Sequence, residues 1–306
     1  MNRSKIENPV DTLTVLPVRH YGLWIGTAIS LVIIFLIAKS LITNPVFDWP
    51  VVGKYLFHHS ILRGLGQTLL LTANIMILAI VIGTVVAIMR LSPSFILNTF
   101  ASAYIWIFRG APALIQLIFW YNLSIVVREI SVSLPFIGTL FSVKTNEFMT
   151  PFVSAVVALS LHEAGYMAEI VRAGINSVGK GQTEAAGSLG MTRRLTLWRI
   201  ILPQAMRFIV PPTGNETINL LKTTALVTFI AVNDLLYSAQ AIYARTFETI
   251  PLLLVVMFWY LFVVTILSTG QYFIERYYGK SELDKGRPLG RIIADAFKFR
   301  QKDAPS

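Results

Sequence analysis

The sequence contains no cysteine, which removes disulfides, thiolate metal sites and cysteine nucleophiles from consideration. It is also poor in charge: Asp, Glu, Lys and Arg make up 14% of its 306 residues, against about 25% in an ordinary soluble domain. So little charge does not coat a globule of this size. Only four histidines are present, and they are not placed to complete a metal site. What abounds is apolar. Hydrophobic residues are 55% and aromatics 12%, and mean hydropathy is +0.64. This excludes a disordered or fibrous chain, disfavours a soluble enzyme and predicts a polytopic membrane protein. The net charge of +10 in a soluble protein would suggest nucleic acid. In a membrane protein it reflects Lys and Arg retained on the cytoplasmic side, so no nucleic-acid partner is expected.

A span needs about 20 mostly apolar residues. Six stretches are read as spans: Gly22 to Leu41, Gly64 to Met89, Asn98 to Val127, Phe148 to Val171, Ala205 to Leu221 and Pro251 to Ile274. Thr223 to Asn233 is apolar but short, and is expected to be re-entrant, buried in protein or lining a cavity. With the N-terminus inside, the inner segments hold eighteen Lys and Arg and the outer ends and loops six, which places both termini in the cytoplasm. The first apolar run is too long for a signal-peptide core and is expected to be an uncleaved anchor. The basic tail beyond residue 278 fits the positive-inside rule, or a contact with anionic lipid.

Two motifs come close to chemistry and miss. Gly174 to Gly181 nearly spells a P-loop, but Gly181 stands where a Ser or Thr hydroxyl must hold Mg²⁺. His162-Glu163 begins a zinc-protease motif, but Tyr166 occupies the second histidine position. No nucleophile–base pair emerges. This chain is expected to bind no ATP, cofactor or metal and to catalyse no covalent step.

The long inner loop carries more. Glu184-Ala185-Ala186 is followed by Gly190 and, after nine residues, by Ile200, Leu202 and Pro203. Read physically, it is two short helices about a glycine turn. Glu184 suits a helix N-terminus. Ala185 and Ala186 leave a low surface for another protein, and Gly190 permits a turn that a side chain would block. Thr192 can cap the second helix. Leu195, Trp198 and Ile201 are spaced as one apolar stripe. Pro203 suits the first turn of the next span. From the residues alone, an ordinary basic loop accounts for this pattern equally well.

The spacing resembles the EAA loop of ABC importer permeases. Further stretches resemble the polar amino acid (histidine/glutamine/arginine/opine) subfamily: Phe108-Arg109-Gly110-Ala111-Pro112 continuing to Gln116, Tyr166-Met167-Ala168-Glu169-Ile170-Val171-Arg172-Ala173-Gly174-Ile175, and Leu220-Leu221-Lys222-Thr223-Thr224. Ala111 stands where Thr is usual in that subfamily. The resemblance implies an all-α, polytopic type I ABC importer (MetI-like) transmembrane fold over residues 64–278, with a coupling loop at 175–203. Outside it lie a cytoplasmic segment 1–21, an extra span 22–42 and a tail 279–306.

The same resemblance implies a subunit of a bacterial inner-membrane importer. Its partners would be a second permease subunit, a dimer of ATPases carrying the ATP and Mg, and a periplasmic binding protein that delivers an amino acid. Glu184, Ala185, Ala186, Gly190, Trp198, Ile200, Leu202 and Pro203 become the expected ATPase-coupling residues. Arg109, Glu163, Asn215 and Glu216 sit near mid-depth by helical rise and become pathway candidates, unless the two acids pair with Arg109 or Lys222. An ion-gradient-driven transporter, using Glu163 and Glu216 as ion sites, is the alternative; a membrane-embedded hydrolase lacks its residues.

Overall fold

A computed structural model describes residues 21–134 and 138–278. The tail beyond residue 278 and all but the last residue of the 1–21 segment lie outside the described residues. Helix α1 (Tyr21–Thr43) belongs to a unit distinct from that of Val46–Gly279 and is described by itself. Its 23 residues rise about 34 Å, enough to cross a hydrocarbon core of about 30 Å.

In the second unit, α2 (Trp49–Leu56) precedes the long α3 (His59–Arg90), then α4 (Phe95–Gly110), α5 (Ala113–Tyr121) and α6 (Leu123–Val126). A hairpin of β1 (Glu129–Leu134) and β2 (Gly138–Lys144) and the short α7 (Thr145–Phe148) lead into α8 (Pro151–Asn176). Then come α9 (Lys180–Ser188), α10 (Arg193–Thr196) and α11 (Leu202–Thr223), a 3₁₀ stretch (Thr224–Ile230), α12 (Leu235–Thr246) and α13 (Thr249–Tyr278). Among the described residues, three helices are long and apolar enough to cross a membrane, or five spans if each bent helix pair counts as one.

Helix α8 has the length, at 26 residues, but carries His162, Glu163, Glu169 and Arg172. It tolerates them because it packs against α3, α4, α5 and α11, so much of its surface meets protein rather than lipid. The core joins Leu71, Ile75 and Ala79 of α3 to Ala155, Leu159 and Met167 of α8, with Leu117, Ile209 and Leu220 closing it. On α3 the buried residues recur every three or four positions, while Leu69, Leu70, Ile77 and Val81 stay exposed. One face meets protein and the other is fit for lipid. A second cluster sets Val52 and Tyr55 of α2 against Leu235, Leu252 and Val255, and Trp259 Nε1 donates to the Leu56 carbonyl at 2.8 Å.

Small residues set how closely α3 and α8 approach. A Cβ on Gly83 would lie 2.6 Å from Met167 Cβ and 2.9 Å from the Ala164 carbonyl. Gly83→Val is therefore expected to force the pair apart and cost about 1–3 kcal/mol, as other overpacked cores do. The check is the thermal midpoint of the detergent-purified protein. A midpoint equal to wild type would show that the helices are not held this close.

The structure corrects several expectations. The stretch Asn98 to Val127 is not one helix: α4 and α5 meet at 102° across Ala111 and Pro112. The stretch Thr223 to Asn233 is buried in protein at Thr224, Val227 and Ile230, as expected, but is no separate α-helix. It continues α11 as the 3₁₀ turn, and α12 follows at 45°. The outer loop before α8 folds as the antiparallel β1–β2 pair, the one departure from an all-helical chain among the described residues. His58 caps α3: its Nδ1 accepts from the Ser60 N–H at 3.3 Å.

Candidate functional site

The bend between α4 and α5 builds the first part of the site. Within a helix the Phe108 carbonyl would accept from residue 112, but Pro112 has no N–H. Gln116 replaces the missing donor. Its Nε2 donates to the Phe108 and Ala111 carbonyls, each at 2.9 Å, which uses both amide protons. The same nitrogen lies 3.1 Å from His162 Nδ1 on α8. The break thereby lies against α8 one residue before Glu163.

Glu163 is the thirteenth of the 26 residues of α8, hence about 20 Å from either end. It is 5% exposed. Its Oε1 is buried without a hydrogen-bond partner, as is Oε1 of Gln116. Glu216 is half-buried on α11, which packs against α8. Neither acid is paired with a cation: among the described residues the ion pairs are Lys144–Glu147 and Arg172–Glu169. Arg109 ends α4 beside the break, where its guanidinium lies over the Tyr166 ring at 5.0 Å and its stem lies against Gly165. The anticipated Arg109–Glu216 pair is absent among the described residues, the Arg109 guanidinium being engaged over Tyr166 instead. Asn215 turns the other way, its Nδ2 donating to Glu275 at 3.3 Å. There Gln271 of α13 bridges Glu275 and the Pro211 carbonyl, at 2.9 and 2.8 Å. The structure thus brings Glu163 and the α4–α5 break together and sets Asn215 apart. Gln116 was quoted in the sequence only as part of a motif. The signal for its role was present: a proline four residues after a carbonyl, and an amide four residues further on.

The loop between α8 and α11 forms a second site. Helix α9 ends in two crossed hydrogen bonds: Met191 N–H to the Ala186 carbonyl at 3.0 Å and Gly190 N–H to the Gly187 carbonyl at 2.9 Å. Gly190 sits between them at φ +73°. This is the Schellman ending, which needs a residue in the left-handed region just past the cap. Thr192 then caps α10, its hydroxyl accepting from the Leu195 N–H. A π-helical turn (Leu197–Ile201) leads to α11, with Pro203 in its first turn.

Ala186 is 4% exposed and packed inward, whereas Leu189 is 81% and Trp198 64% exposed. Glu184 and Ala185 are exposed; Ile200 and Leu202 are intermediate. The expected stripe is therefore split: Ile201 is buried, and Leu195 and Trp198 face outward. Glu184 lies in the middle of α9 rather than in its first turn, because the helix begins at Lys180. Apolar side chains are thus held outward on a capped, turn-locked loop.

Residues 79–279 match the family described as "Binding-protein-dependent transport system inner membrane component". The chain is 42% identical over 265 residues to the arginine transport system permease protein ArgU of Corynebacterium glutamicum, covering 86% of this chain and 82% of that one. It is 36% identical over 214 residues to the L-cystine transport system permease protein TcyB of Bacillus subtilis, covering 70% and 84%. The solved structure of an amino acid ABC transporter with histidines superposes at TM-score 0.62 and 32% identity, over 76% of this chain and 98% of that one. The MetNI methionine ABC transporter, in an inward-facing form, shares the fold at TM-score 0.59 and 19% identity, over 72% and 96%. With a broken helix beside a buried acid, an outward-facing loop and a family match to residues 79–279, more than half of its length, this chain belongs to the inner-membrane components of binding-protein-dependent transport systems.

Proposed function

We propose that this chain forms the membrane pathway of a bacterial ATP-driven importer for a polar amino acid, with a basic amino acid as the preferred cargo. The observation that carries the cargo class is Glu163: a carboxyl group buried at the midpoint of α8 with an oxygen that lacks a donor. Burying such a group is costly unless something pairs with it, and a substrate ammonium or guanidinium supplies the partner. The 42% identity to a permease named for arginine transport supports the same class. A broken helix is tolerated at membrane depth where it is buried in protein or lines a cavity, which fits a pathway beside the α4–α5 bend.

The outward Leu189 and Trp198 on the locked loop support the docking of an ATPase pair there, with Glu184, Ala185, Ala186, Gly190, Ile200, Leu202 and Pro203 shaping the contact. ATP and Mg belong to those partner chains, and no cofactor is assigned to this one. A second permease subunit, the same or a paralogue, completes the pathway. Both termini are assigned to the cytoplasm from the Lys and Arg distribution. Domain limits follow the same reading: an anchor at 22–42, a permease core at 64–278 and a coupling loop at 175–203.

The test is reconstitution of the chain with its ATPase and binding protein in liposomes. Uptake of arginine is expected only with ATP on the ATPase side and with the binding protein on the other. Accumulation by the chain alone under an imposed ion gradient would replace this reading with a gradient-driven transporter, for which the family match gives no support.

A further inference from the structure

The loop that holds Gly190 lies at one end of the helical unit. A cavity there is lined both by Ile88 and Leu91, at the end of α3, and by Lys180 and Arg193 of the loop. The start of α3 is therefore at the other end, about 45 Å away along its 32 residues. At that far end lies a separate cleft of about 320 Å³, between the first turns of α3 and the face of α12. His59, Ser60 and Arg63 come from α3, and Asn233, Ser238 and Arg245 from the approach to α12 and from α12 itself.

The helical spacing explains the gathering. His59 and Arg63 are four apart, and Ser238 and Arg245 seven apart, so each pair lies on one helix face. The helices meet closely because residue 64 is glycine: a Cβ there would fall 2.4 Å from Ser238 Oγ and 2.7 Å from the Asp234 carbonyl. Two guanidinium groups and an imidazole thus border a single cleft, all three residues exposed.

No carboxylate lines this cleft. Among the described residues neither arginine is in an ion pair. Asp234, the nearest acid by sequence to the lining residue Asn233, is fully buried and caps α12, its Oδ1 accepting from the Tyr237 N–H at 2.8 Å. Two like charges held together without a counter-charge favour an anion, and a guanidinium pair suits a carboxylate, which it can grip with paired hydrogen bonds. The volume admits one side chain and no folded segment.

We propose that this cleft receives a carboxylate side chain of the substrate-binding protein, and that Arg63 and Arg245 steer and hold that protein on the permease. The assignment rests on the importer reading above, which puts the end opposite the coupling loop outside the cell. Charge complementarity and the binding-protein dependence of the family single out this occupant. A free amino acid carboxylate and a second copy of the chain are the competing ones.

The test uses the permease–ATPase complex in nanodiscs, with the cognate binding protein titrated against ATP hydrolysis. Arg63→Gln with Arg245→Gln is expected to raise the half-maximal binding-protein concentration about tenfold, a typical penalty for removing interfacial charge. Basal hydrolysis and the rate at saturation should stay as in wild type, and the salt sensitivity of the half-maximal concentration should fall. A titration that superposes on wild type would overturn the proposal. So would loss of the permease dimer on size exclusion, which would assign the cleft to a subunit contact. A raised half-maximal substrate concentration with unchanged binding-protein affinity would assign it to free substrate. If wild type itself shows no stimulation by the binding protein, the importer reading falls, and this assignment with it.

Discussion

Gly190→Val is expected to leave the permease in the membrane and to weaken its association with the ATPase roughly tenfold. The reason lies in the backbone. Gly190 holds φ +73°, a region that costs an L-residue about 1–2 kcal/mol, and a β-branched one most of all. Nothing lies within 4 Å of a Cβ built at this position, so the substitution meets no steric clash and acts through φ alone. To relieve the strain, the crossed hydrogen bonds to the Ala186 and Gly187 carbonyls must open. That releases the turn that aims Leu189 outward and leads into the cap at Thr192. A penalty of this size converts to a factor of about 5–30 in an equilibrium.

Gly190→Asn is the control, because asparagine visits the left-handed region more readily and is expected to keep most of the association. Gly190→Asp adds a charge at the same place and should fall between the two. Co-purification of the ATPase with each variant, scored beside substrate-stimulated ATP hydrolysis, makes the measurement. Valine and glycine behaving alike would count decisively against this loop as the docking site.

The long apolar runs were legible because a span is a demand on composition: α3 and α13 follow from Gly64 to Met89 and Pro251 to Ile274 with their ends extended. The turn at Gly190 and the cap at Thr192 were legible for a similar reason, since each is fixed by one residue type in one backbone state. The α4–α5 break was not, although Ala111-Pro112 carries the signal. A residue before proline is pushed out of the helical region, but hydropathy is blind to that and reads the apolar stretch through it.

The polar partners were hidden for a different reason. That neither Glu163 nor Glu216 would pair with Arg109, and that Asn215 would turn to Glu275, depend on the rotation of α11 against α8 and α13. Packing sets that rotation: Gly214 admits Gln271 so closely that a Cβ there would overlap its Oε1. The β1–β2 hairpin was missed although Glu129-Ile130-Ser131-Val132-Ser133-Leu134 carries the alternation of a strand, because a search for runs of about 20 apolar residues passes over apolar positions that alternate with polar ones.

Glu163→Gln is expected to abolish most transport of a basic amino acid while leaving the complex assembled. Glutamine keeps the shape and length of the side chain and removes only its capacity for negative charge, so packing against Ala164 and Gly165 is preserved. In the described structure no cation neutralises Glu163: Arg109 is engaged over Tyr166, and the ion pairs lie elsewhere. A structural acid would be paired, and breaking its pair would destabilise the protein. An unpaired acid in a pathway has the opposite signature, with stability kept and affinity for a cation lost. Truncating one partner of a buried charge pair costs about 2–5 kcal/mol of binding, or at least about thirtyfold in arginine affinity by the usual conversion.

The readout is uptake of arginine and of glutamine by the assembled transporter in liposomes, with basal ATP hydrolysis and ATPase co-purification followed alongside. Arginine uptake should fall by at least an order of magnitude. Any glutamine uptake should fall less, because its side chain brings no cation to the site. Glu216→Gln should have the smaller effect, since Glu216 is only half-buried and water shares its solvation. Equal loss for both amino acids together with a lower thermal midpoint would mark Glu163 as structural. Unchanged uptake of arginine would remove it from the pathway and, with it, the argument that the cargo is basic.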